Sequence, residues 1–121
     1  MDKEVKVEEL KNMVAEFCDE RDWGQFHNPK DLAIMISTEA SELLQIFRYK
    51  DIKQVKQLML STKREDVEDE VADVLFGVLR FAQMNDIDLS ESLKNKIEKN
   101  NKKYPVEKVK GCNKKYNEYE G

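Results

Sequence analysis

Residues 63–84 read KREDVEDEVADVLFGVLRFAQM. Val67, Val71, Val74, Val78 and Phe81 recur at steps of three and four, the spacing of one face of an α-helix. The front of the stretch is acidic, with Glu65, Asp66, Glu68 and Asp69. Acids there suit the positive end of the helix dipole. Thr62 with Glu65 has the form of a capping box, which predicts a helix from about Lys63 to Met84. From Val71 to Ala82 the stretch is apolar on nearly every side. One short bundle cannot cover that much apolar surface, so the pattern predicts at least a dimer.

The rest of the chain agrees with a helical protein. Val7, Leu10, Met13, Val14 and Phe17 mark a helix over residues 3–21. Gly24 then breaks the pattern within a loop, and Asn28-Pro29 reads as an N-cap followed by proline in the first helical position. A second helix is expected from Pro29 to about Tyr49, with a shorter one within Ile52–Leu60. After a turn at Asn85–Asp88, Ser90 is expected to cap a last helix ending near Tyr104, because Pro105 follows. No strand-like alternation and no internal repeat appear. With only 4 glycines and 2 prolines in 121 residues, the expected fold is an all-α helical bundle with short connections. Its domain spans 1–105, and 106–121 is a tail, expected to be a loop or partly disordered.

The formal net charge of −4 argues against a general nucleic-acid binder, while a local basic patch stays open. No run of about eighteen apolar residues exists, so no membrane span is expected. The start, MDKEVKVEEL, lacks the apolar core of a signal peptide. Cys18 and Cys112 stand alone, as reduced thiols usually do. The expected compartment is the cytoplasm.

Four carboxylates stand out. Glu39 and Glu42 are three residues apart and share one side of their helix with Ile36, Ala40, Leu43 and Ile46. Glu70 and Asp73 repeat the spacing beside Val67, Val71, Val74 and Gly77. Acids at the edge of an apolar face are desolvated, and a second acid nearby raises the cost of ionising them. If the two pairs face each other, they stay charged only with a cation bound. Oxygen-only ligands favour a hard ion, and magnesium fits because it also binds phosphate oxygens. Two plainer readings stand beside this one. The acids are solvated, or they are neutralised by Lys50, Lys53 or Arg80.

Glu39-x-x-Glu42 followed by Glu70-x-x-Asp73 resembles the MazG-type nucleotide pyrophosphohydrolases. Glu20-Arg21-Asp22-Trp23-x-Gln25-Phe26-His27-x-Pro29-x-x-Leu32, Glu70-x-x-Asp73-Val74-Leu75 and Asn100-x-x-x-Tyr104-Pro105-Val106 are similar to its dCTP pyrophosphatase-like branch. Gly111 and Lys115-Tyr116 fall in step with it, so the resemblance covers residues 7 to 116. It implies an all-α fold whose four-helix-bundle core is completed in a homodimer or homotetramer. It implies Mg2+, with Mn2+ as a substitute, held by Glu39, Glu42, Glu70 and Asp73. It implies hydrolysis of a (deoxy)nucleoside triphosphate to the monophosphate and pyrophosphate, in nucleotide pool cleaning. A dCTP-like pyrimidine is the favoured substrate; dUTP or a modified nucleotide is the alternative within the class. Glu39 or Glu42 is the expected base toward the attacking water.

The resemblance also places a basic motif of the last helix at the phosphates. Lys96, Asn100 and Lys103 share a face there, and Lys96 and Asn100 are the chosen contacts. Trp23, His27 and Tyr49 are expected on the nucleobase side, where aromatic stacking binds a base. Trp23 as a core plug and His27 as a tie to a backbone carbonyl are the plainer alternatives. Phe26 is expected in the core. Two positions depart from the branch: Val14 replaces a histidine, and Gly77 replaces a tyrosine. The smaller residue at 77 predicts a more open base pocket. A helical module that binds a nucleotide or a partner protein without catalysis is the competing function.

Overall fold

The computed structural model describes residues 1–111, and Cys112 and the Lys115-Tyr116 pair lie outside them. The described chain is all-α. In order it forms α1 (Val7–Glu20), a one-turn 3-10 helix (Trp23–Phe26), α2 (Pro29–Phe47), α3 (Ile52–Met59), α4 (Arg64–Met84), α5 (Leu89–Lys103) and α6 (Val106–Val109). Among the described residues no helix is long and apolar enough to cross a membrane. The chain divides into two compact units, Met1–Ile87 and Asp88–Gly121.

In the first unit α4 packs against α1, α2 and α3. The core is small: Val14 and Cys18 from α1, Leu32 from α2, Leu58 from α3, and Val67, Leu79 and Ala82 from α4. Lys11 of α1 donates from Nζ to the Ile87 carbonyl, which ties α1 to the turn after α4. The second unit holds α5 and α6. Asp88 caps α5 by accepting from the Glu91 amide at 2.9 Å. Lys102 and Lys103 stand in the last turn of α5, where positive charge meets the negative end of the dipole.

Capping chemistry sets several boundaries. Asn28 Oδ1 accepts from the Asp31 amide at 2.9 Å, and Pro29 follows as the first residue of α2. The expected box at Thr62 does not form, since α4 starts at Arg64 without a side-chain cap. The capping box lies instead at α3. Asp51 Oδ1 accepts from the Gln54 amide at 2.8 Å, and Gln54 Oε1 accepts from the Asp51 amide at 2.9 Å. Likewise Asp88, not Ser90, caps α5. The first helix also starts later than the expected residue 3, at Val7, because Lys6 is extended.

Gly77 is buried on the α2 side of α4. A Cβ built there would lie 2.8 Å from Ile36 Cγ1 and 3.5 Å from Met35 Cε. The expected opening at 77 is therefore absent: Ile36 fills it, and the two helices approach closely at this point.

Gly77→Val is expected to lower unfolding stability by about 1–3 kcal/mol through overpacking. Adding Ile36→Ala should recover part of that loss. The coupling is read from a denaturant double-mutant cycle, and strictly additive effects would count against the contact.

Candidate metal centre and adjoining pocket

The contact between Ile36 and Gly77 orders the residues beside it. Glu39 lies one turn after Ile36 on α2, and Asp73 lies one turn before Gly77 on α4. Glu42 and Glu70 come one turn further along. An antiparallel pair of helices thus sets Glu39 near Asp73 and Glu42 near Glu70. The structure brings all four together: each offers a carboxylate oxygen, and these oxygens lie within 4.8 Å of one another. Glu39 and Glu70 are half-buried, whereas Glu42 and Asp73 are more exposed.

The electrostatics of the cluster are unfavourable on their own. Glu39 has its pKa raised by burial first, then by a hydrogen bond with Glu42 and that residue's charge, then by Asp73 and Glu70. Glu70 is raised by burial, then by Glu42 through charge and hydrogen bonding, then by Asp73 and Asp69. Glu39 Oε2 and Glu70 Oε2 are buried without a hydrogen-bond partner among the described residues. Buried polar atoms are rarely left so. Arg80, one of the expected counter-charges, is directed elsewhere. Its Nε donates to His27 Nδ1 at 2.9 Å and its Nη1 to Gln83 Oε1 at 2.7 Å.

A divalent cation fits this donor set. Oxygens on opposite sides of an octahedral magnesium lie about 4.2 Å apart, so a group no wider than 4.8 Å needs little contraction. The ion would occupy the two orphaned oxygens and cancel the mutual repulsion. Glu39, Glu42, Glu70 and Asp73 are the residues that could hold it.

A pocket of about 620 Å³ opens beside the acids. Glu39 and Asp73 form one wall. Met13, Val14, Phe17, Trp23, Met35 and Phe76 form the rest. Its aromatic part is a chain of edge-to-face contacts. Trp23 meets Phe17 at 5.5 Å between ring centres, and Phe17 meets Phe76 at 5.8 Å. Such edge-to-face geometry is favourable between rings. Trp23 therefore lines the pocket and is not a plug between helices.

The other expected contacts fall in different places. His27 is absent from the lining and accepts from Arg80, a side chain and not a backbone group. Tyr49, in left-handed backbone with φ 63°, is exposed. Its hydroxyl meets Arg48 Nη2 at 2.6 Å. Phe26, expected in the core, is 63% exposed, since the 3-10 turn that carries it buries none of its residues. Lys96 and Asn100 lie on one face of α5 in the second unit, the first exposed and the second half-buried. Met13, Phe17, Met35 and Phe76 carry no distinguishing signal in the sequence pattern. Met35 lies one turn before Glu39 and Phe76 three residues after Asp73, so helical spacing from the acids is the signal that could mark them.

The model of the MazG-like family matches residues 34–119. The chain belongs to the MazG-like family. It is 32% identical over 114 residues to the dCTP pyrophosphatase 1 of Mus musculus, covering 93% of this chain and 67% of that protein. Against the Homo sapiens protein of the same name it is 31% identical over 116 residues, covering 95% and 68%. A pyrophosphatase of known structure from Archaeoglobus fulgidus superposes with a TM-score of 0.75 at 41% identity, covering 81% of this chain and 91% of that one. The resemblance carried by the sequence motifs, down to the branch, agrees with these relatives.

The raised pKa values carry a stability consequence for the metal-free protein. A carboxyl with a higher pKa in the folded state binds its proton more tightly there than in the unfolded chain. Its penalty is therefore full above the folded pKa and is relieved as pH falls through it. Metal-free protein should gain thermal stability between neutral and mildly acidic pH. Glu70→Gln should flatten that gain and raise the melting temperature at neutral pH. Melts in chelator across pH read both, and an unchanged profile in Glu70→Gln would contradict the assignment.

Proposed function

We propose that the protein is a metal-dependent nucleoside triphosphate pyrophosphohydrolase, acting in the cytoplasm on the α–β anhydride of a (deoxy)nucleoside triphosphate. The observation that carries this is the cluster of four carboxylates, two with orphaned buried oxygens, at the wall of an aromatic pocket. The activity for which the relatives are named is consistent with it. Mg2+ is the proposed ion, with Mn2+ as a substitute, because the donors are all carboxylate oxygens. When bound, the ion supplies neutralisation of phosphate charge and acidification of the attacking water.

The chain's own residues supply the rest. Glu39 and Glu42 stand together in the cluster and differ in burial, so one of them can hold the water's proton. The water attacks the α-phosphorus, and pyrophosphate leaves. Trp23, with Phe17 and Phe76 behind it, offers a stacking face for the base. The apolar wall excludes water from that side. Lys96 and Asn100 are proposed to hold phosphate oxygens, and His27 and Tyr49 are kept as candidates on the base side. A dCTP-like pyrimidine is the favoured substrate by likeness to the curated relatives.

We also propose a homodimer or homotetramer. Val71 and Leu75 of α4, with Ile34 and Leu44 of α2, are large apolar residues left 46–64% exposed. A second copy would cover them and complete the helical bundle. Light scattering tests this, and a monomer would exclude it.

The purified protein with Mg2+ should release pyrophosphate from at least one member of a panel of dCTP, dUTP, dTTP, dATP and 5-modified pyrimidine triphosphates. Glu39→Gln and Asp73→Asn should each lower kcat/KM by about 100-fold or more while circular dichroism shows unchanged helix content. Binding without turnover across the panel would favour a non-catalytic nucleotide-binding module instead.

A further inference from the structure

Arg80 is 2% exposed. A buried guanidinium is costly, and a well-packed apolar side chain of like volume is often as stable or more so. Both groups it donates to, His27 Nδ1 and Gln83 Oε1, are neutral acceptors. His27 accepts through Nδ1, so its proton sits on Nε2 and the ring is uncharged. The guanidinium also lies against the 3-10 turn itself: a Cβ at Gly24 would stand 3.7 Å from Arg80 Nη2. One side chain of α4 thus meets the turn at Gly24 and again at His27.

The turn has little else of its own. Its entry residue, Asp22, is in left-handed backbone at φ 55°. Gln25 Nε2 donates to the Asp22 carbonyl and to Asp22 Oδ2, each at 3.0 Å, and both bonds are exposed. Exposed bonds of this kind open readily. At one end of the turn Trp23 rests on Phe17 of α1. At the other end His27 is fixed by Arg80, and the Trp23 and His27 rings stand 6.3 Å apart.

We propose that Arg80 is a positioning residue that docks the 3-10 turn through His27 and so fixes Trp23 at the wall of the pocket. For substrate binding this rests on the reading of the pocket as the nucleobase site. The docking itself does not. The arrangement needs a neutral His27, since a proton on Nδ1 would remove the acceptor and set a second cation beside Arg80. The groups around His27 fit this requirement. Burial, and then Arg80 facing it from α4, lower its pKa. On the α1 side the buried Cys18 thiol has its pKa raised by burial, with the charge of Arg80 lowering it and those of Asp19 and Arg21 acting less. That thiol stays neutral over the range in which His27 titrates.

Trp23 is the single tryptophan of the chain, so its fluorescence reports the turn without any nucleotide. At pH 7.5 the wild type, whose Trp23 is 39% exposed, should emit to the blue of a fully solvated tryptophan. Acidification should give one red shift, with a midpoint below the ordinary histidine value. His27→Gln, whose amide oxygen accepts from Arg80 at every pH, should lose that step. His27→Ala and Arg80→Met should both show the red-shifted emission already at pH 7.5. Arg80→Met should also raise KM for the triphosphate about tenfold or more, the worth of a stacking contact, with kcat little changed.

A purely structural Arg80 would alter the melting temperature and leave emission and KM as in the wild type, which overturns the proposal. So would an acid step that persists in His27→Gln. Should Arg80→Met fail to fold, the two histidine variants decide the matter by emission alone. Absence of turnover in the wild type would count against the pyrophosphohydrolase reading and leave the docking result standing.

Discussion

The close approach of α2 to α4 at Gly77 sets the geometry on which the rest of this protein depends. Ile36 Cγ1 would be 2.8 Å from a Cβ at that position, so no other residue allows the same spacing without displacement. The helices run antiparallel there, and each step away from the contact pairs an acid with an acid. Packing of small against branched residues, which is favourable, thereby forces together four carboxylates, which is not. The two terms are linked by geometry, and neither can be relaxed alone.

That linkage assigns the cluster a cost. Burial and mutual repulsion both raise the pKa of Glu39 and of Glu70, and two buried oxygens have no partner among the described residues. A sequence under selection for stability alone would place neutral residues at 39 and 70. The stability forgone here would be recovered if, as proposed, a divalent ion bound the folded state and not the unfolded chain.

Helices are legible in the sequence because their signals are local. Three- and four-residue spacing locates α1, α2 and α4, and Asn28-Pro29 locates the start of α2 to the residue. The four acids are legible for the same reason, since i, i+3 spacing on two helices is a property of each helix by itself. Contacts between helices are not. Gly77 reads as a space, because nothing in the sequence says that Ile36 fills it. Met13 and Phe17 read as an ordinary apolar stripe, because a pocket wall and a core face have the same period. Thr62-Glu65 and Asp51-Gln54 are both boxes by composition, and only the turn geometry before each helix selects the second. Hydrophobicity alone assigns Phe26 to the core, yet the one-turn 3-10 helix buries none of its residues.

The pocket and the acid cluster share Glu39 and Asp73, and this sharing bears on selectivity. Apart from those acids, the pocket is lined by aliphatic, sulfur and aromatic side chains. Such a wall gains affinity from stacking and water exclusion, which every base provides, and among the described lining residues only the Trp23 indole N–H and the two acids could hydrogen-bond a base edge. Rejection factors of roughly 10⁴ arise where a site is built to hydrogen-bond a group that the competitor lacks. An apolar wall of this kind discriminates by size and shape, on the order of 10–200-fold per methylene-sized difference. On the proposed function, the phosphates would be held at the acid wall through the cation that the four carboxylates bind, and the base would contribute orientation. Orientation depends on how firmly Trp23 is held, and so on a turn whose anchor lies outside the pocket, at a buried arginine and a neutral histidine.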